Sequence, residues 1–307
     1  MIGLTRQVLR AWGRWGKAPG WYYQTVESLG PRLSAGRRLS VTLPNGCRME
    51  CDLKEQVERL IYFLGAYEPV ESYLMTKLLR PGMVVVDAGA NVGQYSLLAA
   101  TAVGPQGSVH AFEPVPATFD RLASHVCANQ SSNVSVNRAA LWHETATLQL
   151  AQTPEMAHNA GAFSVGIFNP KTTVDALAMR LDDYLAERSI ESVDFIKLDV
   201  EGAELSALRG MSGLLERCRP LLMMEICRYT CERLGYHPHD LWELLSGRYG
   251  YRAWLIGDSP MTCRPLDSLE GVEQQNVLFH VDDLSPVLTQ GWSLKSCLHW
   301  ARTRGRS

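Results

Sequence analysis

Residues 84–96, VVVDAGANVGQYS, constrain the fold of this chain more than any other stretch. Three successive β-branched residues predict a buried strand, and Asp87 marks the strand end, where side chains meet solvent again. Gly89 and Gly93 bracket a sharp turn, and the following helix offers its positive N-terminal end and bare backbone N–H groups to a ligand. The stretch therefore predicts a nucleotide-type site.

The pattern of this turn separates two classes of adenosine-containing ligand. Dinucleotide-binding turns have the order Gly-x-Gly-x-x-Gly, whereas this turn has Gly89, Asn91 and Gln94 at those places. Asp87 would repel a phosphate but suits a ligand that carries an ammonium and a sulfonium group. We therefore expect S-adenosylmethionine as the cofactor. The alternatives are a nicotinamide-dependent oxidoreductase and a non-catalytic nucleotide-binding module on the same fold.

A second predicted strand, residues 108–113, ends in another carboxylate, Glu113. Pro114 and Pro116 then stop the strand and open a helix. Glu113 lies about twenty residues beyond the turn, the spacing at which a carboxylate accepts the ribose hydroxyls of adenosine. Taken singly, Glu113 could be an exposed strand end and Asp87 a helix cap. Their spacing and the flanking glycines favour a cofactor site.

A second acidic centre is predicted at residues 194–204, DFIKLDVEGAE, where a strand over 195–198 ends and a helix begins. Ligands of open parallel sheets lie outside the carboxyl ends of the strands, where the strand order reverses. We therefore expect Asp199 and Glu201 to join Asp87 and Glu113 in one cleft. Asp199 is the first candidate for a general base and Glu201 the second. The alternative for Asp199 is to hold the cofactor's ammonium group or a lysine such as Lys197.

Other positions carry weaker signals. Glu68 precedes a proline at a helix start, so it either complements the helix dipole or reaches the methionine end of the cofactor. Ala140 follows the third strand and leaves room for an adenine. Glu225, in a predicted buried strand, must pair with a cation or face the cleft. His158 is the one histidine worth testing as a base.

Bulk properties exclude several classes of protein. With 307 residues and 46% hydrophobic content, the chain is an ordinary globular protein with one α/β domain plus extensions. A net charge of −2 gives no reason to expect a nucleic-acid partner. We expect no transmembrane segment and no signal peptide, since apolar runs are short and arginines interrupt the N-terminus. We expect no metal site, since the eight cysteines lack zinc-knuckle spacing and no other ligand spacing is diagnostic; the alternative is a divalent metal on the carboxylate cluster that acidifies the acceptor hydroxyl. A cytoplasmic location follows as an expectation.

Four segments, VVDAGANVGQYS, FEPVP, LDDYL and DFIKLDVEGAE, occur in this order, with YEP upstream and NVLF downstream. Together they resemble the FkbM-type S-adenosylmethionine-dependent methyltransferases over residues 60–281. The resemblance implies a Rossmann-like seven-stranded class I methyltransferase sheet, with its last strand antiparallel and helices on both faces. It also implies O-methylation of a hydroxyl on a sugar, glycan or secondary metabolite, so the expected partner is a small-molecule or glycan acceptor.

The resemblance also implies roles for individual residues. Asp87, Gly89, Asn91 and Gly93 would hold the methionine part, Glu113 the ribose and Ala140 the adenine region. Asp199, Glu201 and Glu204 match the second acidic signature of the family.

The remaining parts of the chain match nothing in that family. We expect an extension over residues 1–55 with an amphipathic helix and a hairpin, a methyltransferase domain over 56–281 with a lid-like insertion at 142–193, and a C-terminal tail over 282–307. The last 15 residues of this tail contain basic side chains and no acid, so we expect them to be solvated. In the first helix, an apolar stripe faces a basic side; the stripe is Leu4, Val8, Trp12 and Trp15, and the basic side is Arg6, Arg10, Arg14 and Lys17. The stripe either packs on the core or in a homodimer contact, or lies on a membrane surface or partner.

Overall fold

A mixed eight-stranded sheet forms the centre of the chain in a computed structural model. The structure describes residues 2–15, 19–34, 36–152, 161–167, 172–257 and 263–284, together with residues 159, 170, 288, 297, 300 and 301. The strands are β1 Leu39–Thr42, β2 Arg48–Cys51, β3 Val84–Ala88, β4 Ser108–Phe112, β5 Val134–Asn137, β6 Ala140–Leu141, β7 Ala146–Gln152, β8 Thr172–Met179, β9 Phe195–Leu198, β10 Leu221–Cys227, β11 Arg252–Ile256, β12 Cys263–Leu266 and β13 Gln274–His280.

Helices surround this sheet and build the N-terminal part. They are α1 Ile2–Trp15, α2 Pro19–Leu29, α3 Gln56–Leu64, α4 Pro69–Leu78, α5 Gln94–Val103, α6 Pro116–Ala128, α7 Leu181–Glu187, α8 Glu204–Arg209, α9 Ser212–Arg217, α10 Arg228–Arg233 and α11 Pro238–Trp242. A 3₁₀ helix spans Gly30–Ser34 and a π-helical segment spans Glu243–Arg248. No helix in the described ranges is long and apolar enough to cross a membrane.

The central sheet has the strand order β12-β11-β13-β10-β9-β3-β4-β5. Neighbouring strands from β10 to β5 are parallel, whereas β13 runs antiparallel to β10 and β11. This confirms the predicted class I sheet with its antiparallel last strand. The edge strand β12, which pairs with β11, was not predicted. It contains Pro265, and a proline is compatible with a strand at the edge of a sheet.

Helices cover the sheet on both faces because alternate residues of each buried strand point to opposite sides. Val86 packs with Leu181 of α7 and Leu208 of α8 on one face. Val85 packs with Leu74 of α4 and Leu98 of α5 on the other. The order of strands reverses between β3 and β9, which are hydrogen-bonded neighbours. That reversal is where a ligand site is expected in such a sheet.

The insertion adds a second, three-stranded sheet in the order β6-β8-β7. The strand predicted over residues 145–150 is β7, and the short strand predicted over 172–175 extends as β8 to Met179. These two strands pair antiparallel from Ala146 with Ala178 to Gln152 with Thr172. The part of the insertion around His158 lies outside the described residues.

The N-terminal part differs from its prediction in two ways. A single helix was expected before the hairpin, but α1 ends at Trp15 and a second helix, α2, starts at Pro19, a residue that favours the first helical position. The predicted apolar stripe is divided: Leu4 is 67% and Val8 56% exposed, whereas Trp12 packs edge-on against Tyr22 at 5.4 Å between ring centroids. Leu9, outside the predicted stripe, also packs with α2, the β1–β2 hairpin and α3. The hairpin itself was correctly predicted.

The C-terminal segment also corrects a prediction. The last 15 residues of the tail were expected to be solvated, but Cys297 and Ala301 are buried, as is Leu284 nearer its start. The carbonyl of Ala301 lies where a Cβ on Gly65 would be, and Trp300 packs edge-on against Tyr73 at 5.5 Å between ring centroids. The tail prediction relied on basic residues, and apart from them the segment contains apolar side chains that fill space against α4.

Candidate functional site

The glycine turn holds the tips of three strands together. Gly89 has φ +77°, and a Cβ there would overlap the carbonyl group of Asp199 at the end of β9. The N–H groups of Gly89 and Ala90 both donate to the carbonyl of Phe112 in β4 at 3.0 Å. The N–H of Asp199 donates to the carbonyl of Ala88 at 3.1 Å. The tips of β3, β4 and β9 therefore form one compact edge, and only glycine fits at position 89.

Glu113 connects β4 to this turn. Its side chain is 3% exposed, and its two oxygens accept the backbone N–H groups of Asn91 and Val115, each at 2.9 Å. Burial raises the pKa of Glu113 to about 7, although the two N–H donors oppose that rise. A carboxylate has about four lone-pair sites, so two remain for the hydroxyls of a ligand. The side chain thus supports the turn and still suits a ribose.

Asp87 lies beneath the turn and is fully buried. Its Oδ2 accepts the hydroxyl of Ser96 at 2.6 Å, while Oδ1 has no hydrogen-bond partner among the described residues. Burial raises the pKa of Asp87, and the charge of Lys197 opposes that rise. A buried acceptor without a donor is unfavourable unless a ligand supplies one. This orphaned oxygen is consistent with a cationic or donor group of S-adenosylmethionine at this end of the site.

Lys197 provides the positive charge that the acidic edge requires. Its Nζ lies 2.9 Å from Oδ2 of Asp199 and 4.6 Å from the ring centroid of Tyr95. Burial lowers the pKa of Lys197, but attraction to Asp199, Asp87 and Glu68 outweighs burial and raises it. Asp199 is therefore held as the partner of a buried lysine, which was the alternative role for it from the sequence. The signal for Lys197 was a single cation within an otherwise apolar strand.

Glu68 belongs to this charged network rather than to the cavity wall. It stands at the start of α4 with φ +45°, and its side chain does not cap that helix. It accepts the Tyr95 hydroxyl at 2.8 Å and the Asn276 amide at 3.2 Å. Burial raises the pKa of Glu68, with a further contribution from Asp199. Its contact with the methionine part remains a prediction.

One cavity brings together five of the predicted site residues, which are Gly89, Glu113, Ala140, Asp199 and Glu201. Phe112, Trp142 and Phe163 add aromatic side chains to its wall, as an adenine site requires. Asp87, Asn91, Gly93 and Glu68 do not line it within the described part of the chain. Gly93 instead caps α5 at φ +94° and packs against Leu122.

The insertion narrows this cavity. The volume of the cavity is about 50 Å³, whereas pockets that bind small-molecule ligands have volumes of roughly 300 Å³ or more. The backbone of Ser164 pairs with Ala151, and its hydroxyl donates to the carbonyl of Glu201 at 2.7 Å. The Arg233 guanidinium contacts both that hydroxyl and the Glu201 carbonyl. Gly161 lies against the side chain of Asn91, so residues 161–165 rest on the glycine turn.

In this closed arrangement the cavity is too small for a ligand as large as S-adenosylmethionine. Ser164 and Arg233 hold segment 161–165, and no local sequence pattern indicated either residue. They are 69 positions apart and meet only in the folded chain.

The two glutamates after β9, Glu201 and Glu204, differ in their contacts. Glu204 accepts the N–H of Gly202 at 3.1 Å and the hydroxyl of Tyr236 at 2.9 Å, so it supports the loop. Glu201 has φ +54°, and its carboxylate makes no hydrogen bond to the described residues. Burial raises the pKa of Glu201 to about 7, and the negative charges of Asp199 and Glu204 contribute to this rise. Of the two predicted bases, Asp199 is paired with Lys197, whereas the Glu201 carboxylate has no such partner among the described residues.

Glu225 is the remaining carboxylate near this edge. It accepts the side-chain amide of Gln274 at 3.0 Å, and no cation pairs with it in the described ranges. Burial raises the pKa of Glu225 to about 9, and the negative charge of Asp199 contributes to this rise. Of its two predicted roles, the ion pair is therefore wrong for the described chain. The residues described also contain no group of histidine, cysteine and acidic side chains arranged to hold a metal ion.

Comparison with known proteins defines the class. The model of the methyltransferase FkbM domain matches residues 87–253, which is more than half of the chain. The chain belongs to this family, as the resemblance predicted, and S-adenosylmethionine fits the family and the site. A SAM-dependent methyltransferase from Aquifex aeolicus has 16% identity over 71% of this chain and 90% of its own, with a TM-score of 0.40.

Three curated relatives show local similarity. Methyltransferase 1 of Beauveria bassiana is 33% identical over 144 residues, 41% of this chain and 57% of its own. The 31-O-demethyl-FK506 methyltransferase FkbM of Streptomyces tacrolimicus is 31% identical, covering 43% and 61%. The hexuronic acid methyltransferase AglP of Haloferax volcanii is 27% identical, covering 53% and 61%. The chain thus spans about three fifths of the length of these relatives.

Proposed function

We propose that this chain transfers the methyl group of S-adenosylmethionine to a hydroxyl of a sugar, glycan or secondary metabolite. The observation that carries the proposal is the single cavity lined by Gly89, Glu113, Asp199 and Glu201, at the strand-order reversal of a sheet whose sequence matches the FkbM domain. Two of the relatives are named for acceptors of this kind, a hexuronic acid and a demethylated FK506. We assign the activity to residues 56–281, with the 142–193 insertion as the lid.

The donor fits the arrangement of charge at the site. When bound, S-adenosylmethionine supplies an activated methyl group on a sulfonium. Glu113 would accept the ribose hydroxyls, Ala140 would leave space beside the adenine, and Asp87 would offer its unpartnered oxygen to the methionine end. The turn lacks two of the three glycines with which a dinucleotide site binds pyrophosphate. A pyrophosphate would also be repelled by the acidic groups Asp87, Asp199 and Glu201. That charge disfavours a nicotinamide dinucleotide.

The chain's own contribution to methyl transfer is positioning and proton removal. Closure of segment 161–165 excludes water and holds the acceptor oxygen in line, the arrangement on which such displacements depend. Glu201 lines the cavity, and its pKa of about 7 suits a general base at neutral pH. Asp199 is the positioning residue, since Lys197 holds it at 2.9 Å.

The test is transfer of a labelled methyl group from S-adenosylmethionine to a panel of uronic acids, glycans and polyketide alcohols. We expect incorporation into a hydroxyl, and a loss in kcat of about 10²–10⁴-fold for Glu201→Gln, the range typical of a missing general base. The affinity of this variant for S-adenosylhomocysteine should stay within a few-fold of the wild type. Label that appears on nitrogen or carbon, or full activity of Glu201→Gln, would remove the proposal.

A further inference from the structure

The N-terminal helices carry a concentration of exposed apolar side chains that the methyl-transfer site does not use. The described chain has eight large hydrophobic side chains with high exposure, and six of them lie in α1 and α2. These six are Ile2, Leu4, Val8, Trp21, Tyr23 and Leu29. A concentration of exposed apolar side chains in one part of a soluble domain indicates an interaction site. We call these six residues the N-terminal patch.

The charge around this patch has one sign. Residues 1–26 contain Arg6, Arg10, Arg14 and Lys17 and no aspartate or glutamate, although the whole chain has a net charge of −2. The first acid, Glu27, is already paired with Arg59 at 2.5 Å. Arg10 stacks over the ring of Tyr62 at 4.7 Å, so it tethers α1 to α3.

One side of α1 packs on the domain and the other side is exposed. Leu9 is 4% exposed and anchors the helix in the cluster formed with α2, the hairpin and α3. Leu4 and Val8, one helical turn apart, point away from that cluster at 67% and 56% exposure. The helix is therefore fixed to the domain by one face while its other face is apolar and open. Helices that lie in a lipid interface typically have Lys and Arg beside an apolar face, with Trp and Tyr nearby.

We propose that the N-terminal patch docks this chain on an anionic lipid surface. Negative headgroups complement the basic sequence of residues 1–26, which contains four cations and no acid, while Leu4, Val8 and Trp21 enter the boundary between headgroups and acyl chains. A second copy of the chain is a poorer occupant. A two-fold contact would place the same basic segment against itself, and the resulting repulsion opposes pairing.

Vesicle sedimentation tests the proposal with the full chain. The wild type should bind vesicles of phosphatidylcholine mixed with phosphatidylglycerol and not vesicles of phosphatidylcholine alone. Binding should weaken strongly once salt reduces the Debye length to about 3 Å. The double variant Leu4→Gln/Val8→Gln should lose at least about tenfold in binding, because each side chain contributes apolar burial in the interface. Leu177→Gln, at a side chain 48% exposed on β8, is the matched control and should bind like the wild type.

Three outcomes would overturn the inference: absence of binding to anionic vesicles, equal binding to both vesicle types, or equal loss for the Leu177→Gln control. Light scattering adds a fourth. If Leu4→Gln/Val8→Gln converts a dimer to a monomer and vesicle binding is unchanged, the patch is a contact between copies of the chain. Thermal melting of each variant verifies that the fold is intact, as expected for changes at exposed side chains.

Discussion

Replacing Gly89 by alanine tests the contact between the tips of β3 and β9, on which the candidate site depends. The new Cβ would lie within 2.9 Å of the carbonyl carbon of Asp199 and closer still to its oxygen. Real Cβ atoms essentially never approach other atoms closer than 3.0 Å. Both sides of this clash are backbone held by hydrogen bonds, so neither can move without parting the strands. Alanine also strains a left-handed backbone at φ +77°.

The two costs can be separated with a matched variant. Gly82 has φ +87°, but a Cβ there meets nothing within 4 Å, so Gly82→Ala carries only the conformational cost. That cost is about 1–2 kcal/mol. Gly89→Ala adds overpacking against fixed backbone, which costs a further 1–3 kcal/mol, to a total of about 2–5 kcal/mol. The difference between the two variants therefore measures the close approach itself.

Urea denaturation of both variants provides the measurement, with the midpoint and slope giving the free energy of unfolding. We expect Gly89→Ala to be less stable than Gly82→Ala and to bind S-adenosylhomocysteine weakly even where it is folded. Equal stability of the two variants would refute the proposed contact between β3 and β9. Retained affinity in Gly89→Ala would show that the donor does not lie at this turn.

Three further predictions concern the charges of the site. Lys197→Met should destabilise the fold by about 3–5 kcal/mol at pH 8, because it leaves buried carboxylates uncompensated, and by less as pH falls, because burial raises the pKa of Asp87 and of Glu68; urea titration at pH 8 and at pH 5 checks this. Because the pKa of Glu113 is raised from 4.5 to about 7, the proton it binds on folding stabilises the protein at low pH, and that contribution is lost as pH rises through 7. As Glu113 ionises between about pH 6 and pH 8, the affinity of the protein for the cationic donor should rise, and it should rise less in Glu113→Gln. Calorimetric titration across this pH range measures both affinities, and an equal rise in the two proteins would contradict the prediction. Activity should survive a chelator, and loss of activity that returns with added Mg²⁺ would show a metal requirement.

The sequence predicted the sheet well because its strands are short, apolar and bounded by glycine, proline or acids. The fourth strand was predicted over residues 195–198 and is observed as Phe195–Leu198. The turn after Val84–Ala88 was informative for a local reason: glycine at position 89 is required by backbone contact, and that requirement is visible in the sequence.

What the sequence missed depends on contacts between distant residues. Nothing local indicates that Arg233 would reach Ser164, or that Glu204 would accept a hydrogen bond from Tyr236 while the Glu201 carboxylate accepts none from the described residues. The order of Asp199 and Glu201 as candidate bases changed for the same reason, since the pair between Asp199 and Lys197 forms only in the folded sheet. The α1 stripe was recognised from its period of 3.6 residues, but periodicity does not say which side faces the core.

The central claim is that acidic groups at neighbouring strand tips and the glycine turn form one site for a cationic adenosyl donor. Calorimetric titration of the full chain with S-adenosylhomocysteine and, separately, with NAD tests it most directly. The account predicts saturable binding of one S-adenosylhomocysteine per chain and no measurable heat with NAD. Binding of NAD, or the absence of S-adenosylhomocysteine binding by a folded chain, would contradict it.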